Sequence, residues 1–150
     1  FVTSVLKITG MLERAGDLAK NAVKRSVKMG PATPEDVLRK LEVMADIVVE
    51  MLDMALEAFE RRDTHKATEV WRRDDEIDDL YHEVFSTIQQ TMVKDPANAM
   101  AATHVIFAAK NLERLADYTT DLAKTVYYVN SGKRVDKAYL KSLSGGASAS

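Results

Sequence analysis

The chain contains no cysteine, which removes both a disulfide framework and a thiolate metal site and suits a reducing compartment. Proline is scarce, with three in 150 residues, and so are glycine, with six, and tryptophan, with one. Few positions therefore force a turn, and long uninterrupted helices are permitted. No charge sign dominates: 21 basic and 23 acidic side chains nearly cancel to −2. A nucleic-acid binder carries a basic excess or stripe, so that class is excluded. No apolar run approaches the roughly 18 residues of a membrane span. The first residues also lack the basic, apolar and cleavage-site series of a signal peptide. The expectation is a cytoplasmic protein with no direct membrane insertion. Neither a nucleophile–base arrangement nor a glycine-rich phosphate loop is present, so an enzyme is not expected.

What is present is helical periodicity. From Phe1 to Met29, the residues Val5, Ile8, Leu12, Ala15, Ala19 and Val23 recur at steps of three and four. Gly30 stops this segment. Thr33 is then a candidate N-cap, with Pro34 at the first helical position and Glu35 and Asp36 at the positive end of the dipole. A second stripe follows to about Glu60, through Leu38, Leu41, Ala45, Val48, Leu52, Ala55 and Phe59. Asp63 can cap a third helix striped by Ala67, Val70, Ile77, Tyr81, Val84 and Ile88, and Asp95-Pro96 closes it. The fourth buries Val105, Ala108, Leu112, Ala116, Thr119, Ala123 and Val126 and ends at Ser131-Gly132. No segment alternates with period two. The fold class is all-α, with long helices and short loops that make sequential helices antiparallel neighbours. Core packing is the ordinary reading of every stripe, and of Met44, Met51 and Met54 as gap-fillers.

Acidic pairs one helical turn apart are the feature that packing does not explain. At about 100° per residue, Glu113 and Asp117 fall roughly 100° and 140° from Leu112, and Asp74 and Asp78 fall roughly 60° and 100° from Ile77. Both pairs flank a bundle seam. Like charges at i and i+4 weaken a helix by about 0.2–0.5 kcal/mol, so the repeated pattern calls for a cation. A hard ion that prefers six or so oxygens suits two such pairs on adjacent helices. The competing reading pairs these acids with Arg14, Arg72, Arg73 or Arg114, or leaves them solvated. His82, one turn beyond Asp78, is read as exposed or hydrogen-bonded, and Asp121 as surface. Trp71 fits either the core or an interface.

The halves of the chain repeat. At an offset of one hundred, Thr3, Val5, Leu12, Glu13, Arg14, Asp17 and Lys24 recur as Thr103, Val105, Leu112, Glu113, Arg114, Asp117 and Lys124. With Val70-Trp71-Arg72-Arg73-Asp74-Asp75-Glu76-Ile77-Asp78-Asp79-Leu80-Tyr81, Asn111-Leu112-Glu113-Arg114-Leu115-Ala116-Asp117 and Val126-Tyr127-Tyr128 in this order, the chain resembles the phosphate-uptake regulator family, PhoU. The resemblance implies two tandem three-helix bundles that bind metal clusters on their surfaces. Here it implies residues 1–29 as the last helix of an incomplete first repeat, 35–130 as a complete antiparallel three-helix repeat, and 131–150 as a tail, whose end after Leu143 is Ser, Gly and Ala only and is expected to be disordered. The chain opens on Phe1 and lacks the first two helices of the first repeat, so it reads as a C-terminal part.

The resemblance carries the metal ligands over to Asp74, Asp78, Glu113 and Asp117 in the complete unit and to Glu13 and Asp17 in the other. The ion would be iron, zinc, manganese or magnesium. The implied function is negative regulation of phosphate uptake and of phosphate-starvation signalling. The protein would act as an adaptor between the ATPase subunit of a phosphate ABC transporter and a sensor histidine kinase, peripheral to the inner membrane through these partners. Three alternatives stay open: a metal-free helical adaptor, a regulatory domain of a sodium-phosphate cotransporter, and a ferritin-like di-iron oxidase. The last needs Glu-x-x-His motifs, and none of His65, His82 or His104 follows a glutamate at that spacing. The apolar stripe of residues 1–29 needs a cover, either the chain's own later helices or a second copy. A C2 homodimer through this helix is the favoured expectation.

Overall fold

The structure, a computed structural model, describes residues 2–135. The expected disordered end of the tail lies outside the described residues. Four α-helices follow one another: α1 (Val2–Ser26), α2 (Glu35–Arg61), α3 (Thr64–Lys94) and α4 (Ala99–Ser131), with a 3-10 turn, Pro96–Asn98, before α4. Among the described residues there is no strand.

The helix ends follow from local chemistry. The Asp63 carboxylate accepts the Lys66 amide at 3.0 Å and caps α3 as expected. Two residues connect α2 to α3. Arg62 takes a left-handed conformation, φ 56°, as the Asp63 amide donates back to the Ala58 carbonyl at 2.9 Å. Gly132, φ 70°, terminates α4, where a left-handed residue is cheapest as glycine. At the start of α2 the expectation fails. Pro34 is the cap residue and Glu35 the first helical one, while the Thr33 hydroxyl donates to the Gly30 carbonyl at 2.9 Å. The turn after α1 thus uses Thr33 for its own closure.

Ion pairs fix the register. Glu57 pairs with Lys66, Glu50 with Arg73 at 2.8 Å and Lys40 with Glu83 at 2.9 Å. Steps back along α2 match steps forward along α3, so the two run antiparallel. Trp71 and Thr120 of α3 and α4 meet at the other face, with the indole Nε1 donating to the Thr120 carbonyl at 3.3 Å. α2, α3 and α4 pack mutually into a three-helix bundle, and α1 lies antiparallel on α4. Arg25 reaches His104 at 3.2 Å at one end of this pair and Arg14 reaches the Tyr118 hydroxyl at 3.3 Å further along.

The core is centred on Val37, Met44, Met51, Val70, Ile77, Val84, Val105 and Val126, all fully buried. Met44 and Met51 are gap-fillers, as the spacing predicts. Trp71 is a core residue, 7% exposed, with its ring 5.7 Å from that of Tyr127. The stripe on α1 differs from the expectation. Ile8, Ala15 and Leu18 are buried, whereas Ala19 and Val23 are exposed. A spacing nearer 3.5 keeps one face on a straight partner helix. That partner is the chain's own α4, so the apolar face of α1 is covered within the chain rather than left whole for a second copy. An apolar groove of about 460 Å³ remains between α1 and α2, floored by Ala108, Leu112 and Leu115 of α4.

Candidate metal centre

The four acids predicted for the complete unit come together. Asp74 and Asp78 stand one turn apart on α3, and Glu113 and Asp117 one turn apart on α4. The antiparallel register sets Asp74 against Asp117 and Asp78 against Glu113, and each pair repels. The register is the one fixed by Trp71 and Thr120 a turn away, so the core indole positions the acidic seam.

The electrostatics carry the mark of crowding. Burial, then repulsion from Asp117 and Asp78, pushes the Asp74 carboxyl up to about 6, against a lowering pull from the Thr120 hydroxyl and Lys124. Asp78 is raised by burial and by Glu113, and Asp117 by burial, Glu113 and Asp78. Each shift has the same origin: carboxylates held together in a partly desolvated seam favour the neutral form.

The arginines weighed as partners do not serve these acids. Arg73 pairs with Glu50 and Glu76, and Arg14 with the Tyr118 hydroxyl. The cation ion-paired to the cluster is Lys110, 2.7 Å from Glu113 Oε2 and over the Tyr81 ring at 5.0 Å. Sequence reasoning missed it. Its signal is a Lys-x-x-Glu step that sets the ammonium beside the acid one turn on.

As donors the four residues fit a hard cation, being oxygen ligands with more negative charge than the seam neutralises. Among the described residues, however, no three acidic or histidine side chains converge at metal-holding distances. Binding a metal here requires side-chain rotation and release of Lys110 by Glu113. His82 is exposed, its ring tilted against that of Tyr81 with centroids 5.7 Å apart. Asp121 is exposed and ion-paired to Lys124 at 3.0 Å.

Glu13 and Asp17 are not brought to this site. Both are exposed on α1, which packs on α4 without an acidic α3 counterpart beside it. Among the described residues no helix is long and apolar enough to cross a membrane.

The fold is an antiparallel helical bundle with an acidic seam between its last two helices. The family model described as the PhoU domain matches residues 41–126, the span from early α2 to late α4, and the chain belongs to the PhoU family. It is similar to a phosphate-specific transport system accessory protein PhoU homolog of Rhizobium meliloti, 38% identical over 85% of this chain and 54% of that protein. The corresponding homolog of Aquifex aeolicus is 31% identical over 93% of this chain and 63% of its own length. The chain thus spans little more than half the length of the first of these. The crystal structure of the phosphate transport system regulatory protein PhoU from Streptococcus pneumoniae superposes with a TM-score of 0.80 at 26% identity, over 91% of this chain and 64% of that one.

Proposed function

We propose that the chain is part of a regulator that restrains phosphate uptake and phosphate-starvation signalling, with the α3–α4 acidic seam as its metal site. Support comes from family membership together with one observation: four carboxylates meet in one seam, three of them with raised proton affinity. A bound cation would offset this repulsion and tie α3 to α4. Asp74, Asp78, Glu113 and Asp117 would hold it, and Lys110 would be the group it displaces. Glu13 and Asp17 would bind metal weakly. The regulator would act without catalysis, presenting the helical surface to the ATPase subunit of a phosphate ABC transporter and to a sensor histidine kinase on the cytoplasmic side of the membrane.

The metal half is tested by elemental analysis of protein purified without chelator. Iron, manganese, zinc or magnesium is expected, and Asp78→Asn with Glu113→Gln should remove it. Unchanged metal content in that double variant sinks the assignment. The regulatory half is tested in cells: the full-length protein should restore repression of phosphate uptake to a strain lacking it, and co-purify with the two partners.

A metal-free adaptor is the second reading, favoured by the Lys110–Glu113 ion pair at 2.7 Å. It predicts no metal and no change in partner binding when the seam is neutralised. The homodimer belongs with these proposals. With α1 packed on α4, it would use the open groove between α1 and α2, and light scattering at tens of micromolar reads it directly.

A further inference from the structure

At the end of the α1–α4 seam remote from the loop joining α1 to α2, a second cleft opens, about 600 Å³ in volume. Its walls are the first turns of α1, the last turns of α4 and the segment that follows Gly132. Three cationic residues line it, Lys7, Lys124 and Arg134, against one acid, Asp121. The excess is local, because the whole chain carries a net charge of −2. The three cations come from three separate stretches of sequence, so helix periodicity alone does not group them. The fold does.

Hydroxyl-bearing residues complete the wall: Thr3 and Ser4 on α1 and Tyr128 on α4. Thr125 is not a free donor, since its hydroxyl already donates to the Asp121 carbonyl at 2.9 Å. The Tyr128 ring is 45% exposed and offers an apolar face beside the charges. Lys124 is held at 3.0 Å by Asp121, which fixes the ammonium and also screens it.

We propose that this cleft binds a phosphate ester. Cations drawn from three stretches of the chain and neutral hydroxyl donors match a tetrahedral phosphate anion, whose charge-assisted hydrogen bonds are roughly twice as strong as neutral ones. The volume lies inside the range of about 300–1,000 Å³ typical of small-molecule sites, so the ligand carries an organic group beyond the phosphate. That chemistry occurs in a soluble nucleotide and in a phospholipid headgroup. The cleft lies apart from the acidic seam, and the proposal does not rest on the metal reading.

The test uses titration calorimetry in metal-stripped buffer, so that phosphate held on a metal at Asp74 and Asp78 cannot report. ADP and phosphatidylglycerol vesicles are the two probes. ADP binding places the soluble ester in the cleft, and vesicle binding places the headgroup there. In either case Lys7→Gln with Arg134→Gln should weaken binding about tenfold or more, from the loss of two charge-assisted partners. Asp121→Asn, which frees Lys124, should tighten it a few-fold. Helical content by circular dichroism should be unchanged in both variants, as every substitution is at the surface. The proposal is overturned if neither probe binds the wild-type chain below millimolar concentration, or if binding ignores both the charge removals and Asp121→Asn.

Discussion

Helices α1 and α4 carry the same Leu-Glu-Arg-x-x-Asp stretch, at Leu12–Asp17 and Leu112–Asp117, yet one joins a cluster of acids and the other does not. On α4, Asp117 and Glu113 face Asp74 and Asp78 of α3, and burial together with mutual repulsion raises the proton affinity of three of the four acids. On α1, Glu13 and Asp17 stand exposed. The motif supplies an acidic pair, and the neighbouring helix decides whether that pair becomes a charge cluster. The same contrast holds for packing. α4 buries adjacent residues such as Leu115-Ala116, Leu122-Ala123 and Thr125-Val126-Tyr127, which no single helical stripe allows, whereas α1 buries Ile8, Ala15 and Leu18 only. α4 is the central helix of the molecule and α1 a one-sided neighbour.

The packing contrast predicts the largest effect. Leu122, 1% exposed, and Leu18, 7% exposed, are both leucines against α4 or within it. Leu122→Ala should cost about 3–5 kcal/mol, because the surrounding helices cannot collapse into the space. Leu18→Ala should fall near 2 kcal/mol, since α1 has solvent on its far side and can shift. Urea denaturation measures both. Equal losses would mean that α1 is as much a part of the core as α4.

The α1–α4 junction gives the next effect. A Cβ on Gly30 would lie 3.0 Å from the Ala101 Cβ, close enough that one backbone must move. Gly30→Ala should destabilise by about 1–3 kcal/mol, as overpacking does. Gly16, on the open side of α1, meets nothing within 4 Å. Gly16→Ala should stabilise by about 0.5–1 kcal/mol through helix propensity. Opposite signs at the two glycines would confirm that the turn after α1, and not the open side of α1, is pressed against α4, and a neutral Gly30→Ala would show the junction to be loose.

Much of this arrangement was legible in the residues. The four helices, the Asp63 cap, the Gly132 stop and the grouping of Asp74, Asp78, Glu113 and Asp117 followed from spacing, because each depends on local periodicity or on the register of adjacent helices. Four features did not. A single-stripe reading of α4 hides its second buried face, although Ala109, Leu115 and Leu122 lie off the stripe and mark it. The placement of α1 on α4 depends on a contact between the two ends of the sequence, which periodicity does not encode. Lys110 was overlooked because an acidic cluster draws attention to arginines and metals before lysine. Trp71 was undecidable from spacing, since its place in the core is settled by a hydrogen bond to the Thr120 backbone.

The smallest effect comes from the acids, and its sign depends on pH. Asp74 has a proton affinity raised to about 6 by burial and by Asp117 and Asp78, while in the unfolded chain an aspartate titrates near 4. Between these values the folded chain binds the proton and the unfolded chain does not, so stability falls as pH rises from about 4 to about 6. Above that window the ionised Asp74 is a net cost. In metal-stripped buffer at pH 8, Asp74→Asn should therefore stabilise the chain, by about 1 kcal/mol, less than a shift of that size implies because the seam is open to solvent. At pH 4 the gain should vanish. Asp17→Asn on α1 should stay within about 0.5 kcal/mol at both values, as an exposed site does. Under the proposed metal assignment, adding manganese should reverse the Asp74 result, since a ligand bound only to the folded state stabilises it by mass action. Thermal melts of both variants at pH 4 and 8 read the comparison, and a pH-independent Asp74→Asn would remove the charge repulsion on which the seam's chemistry rests.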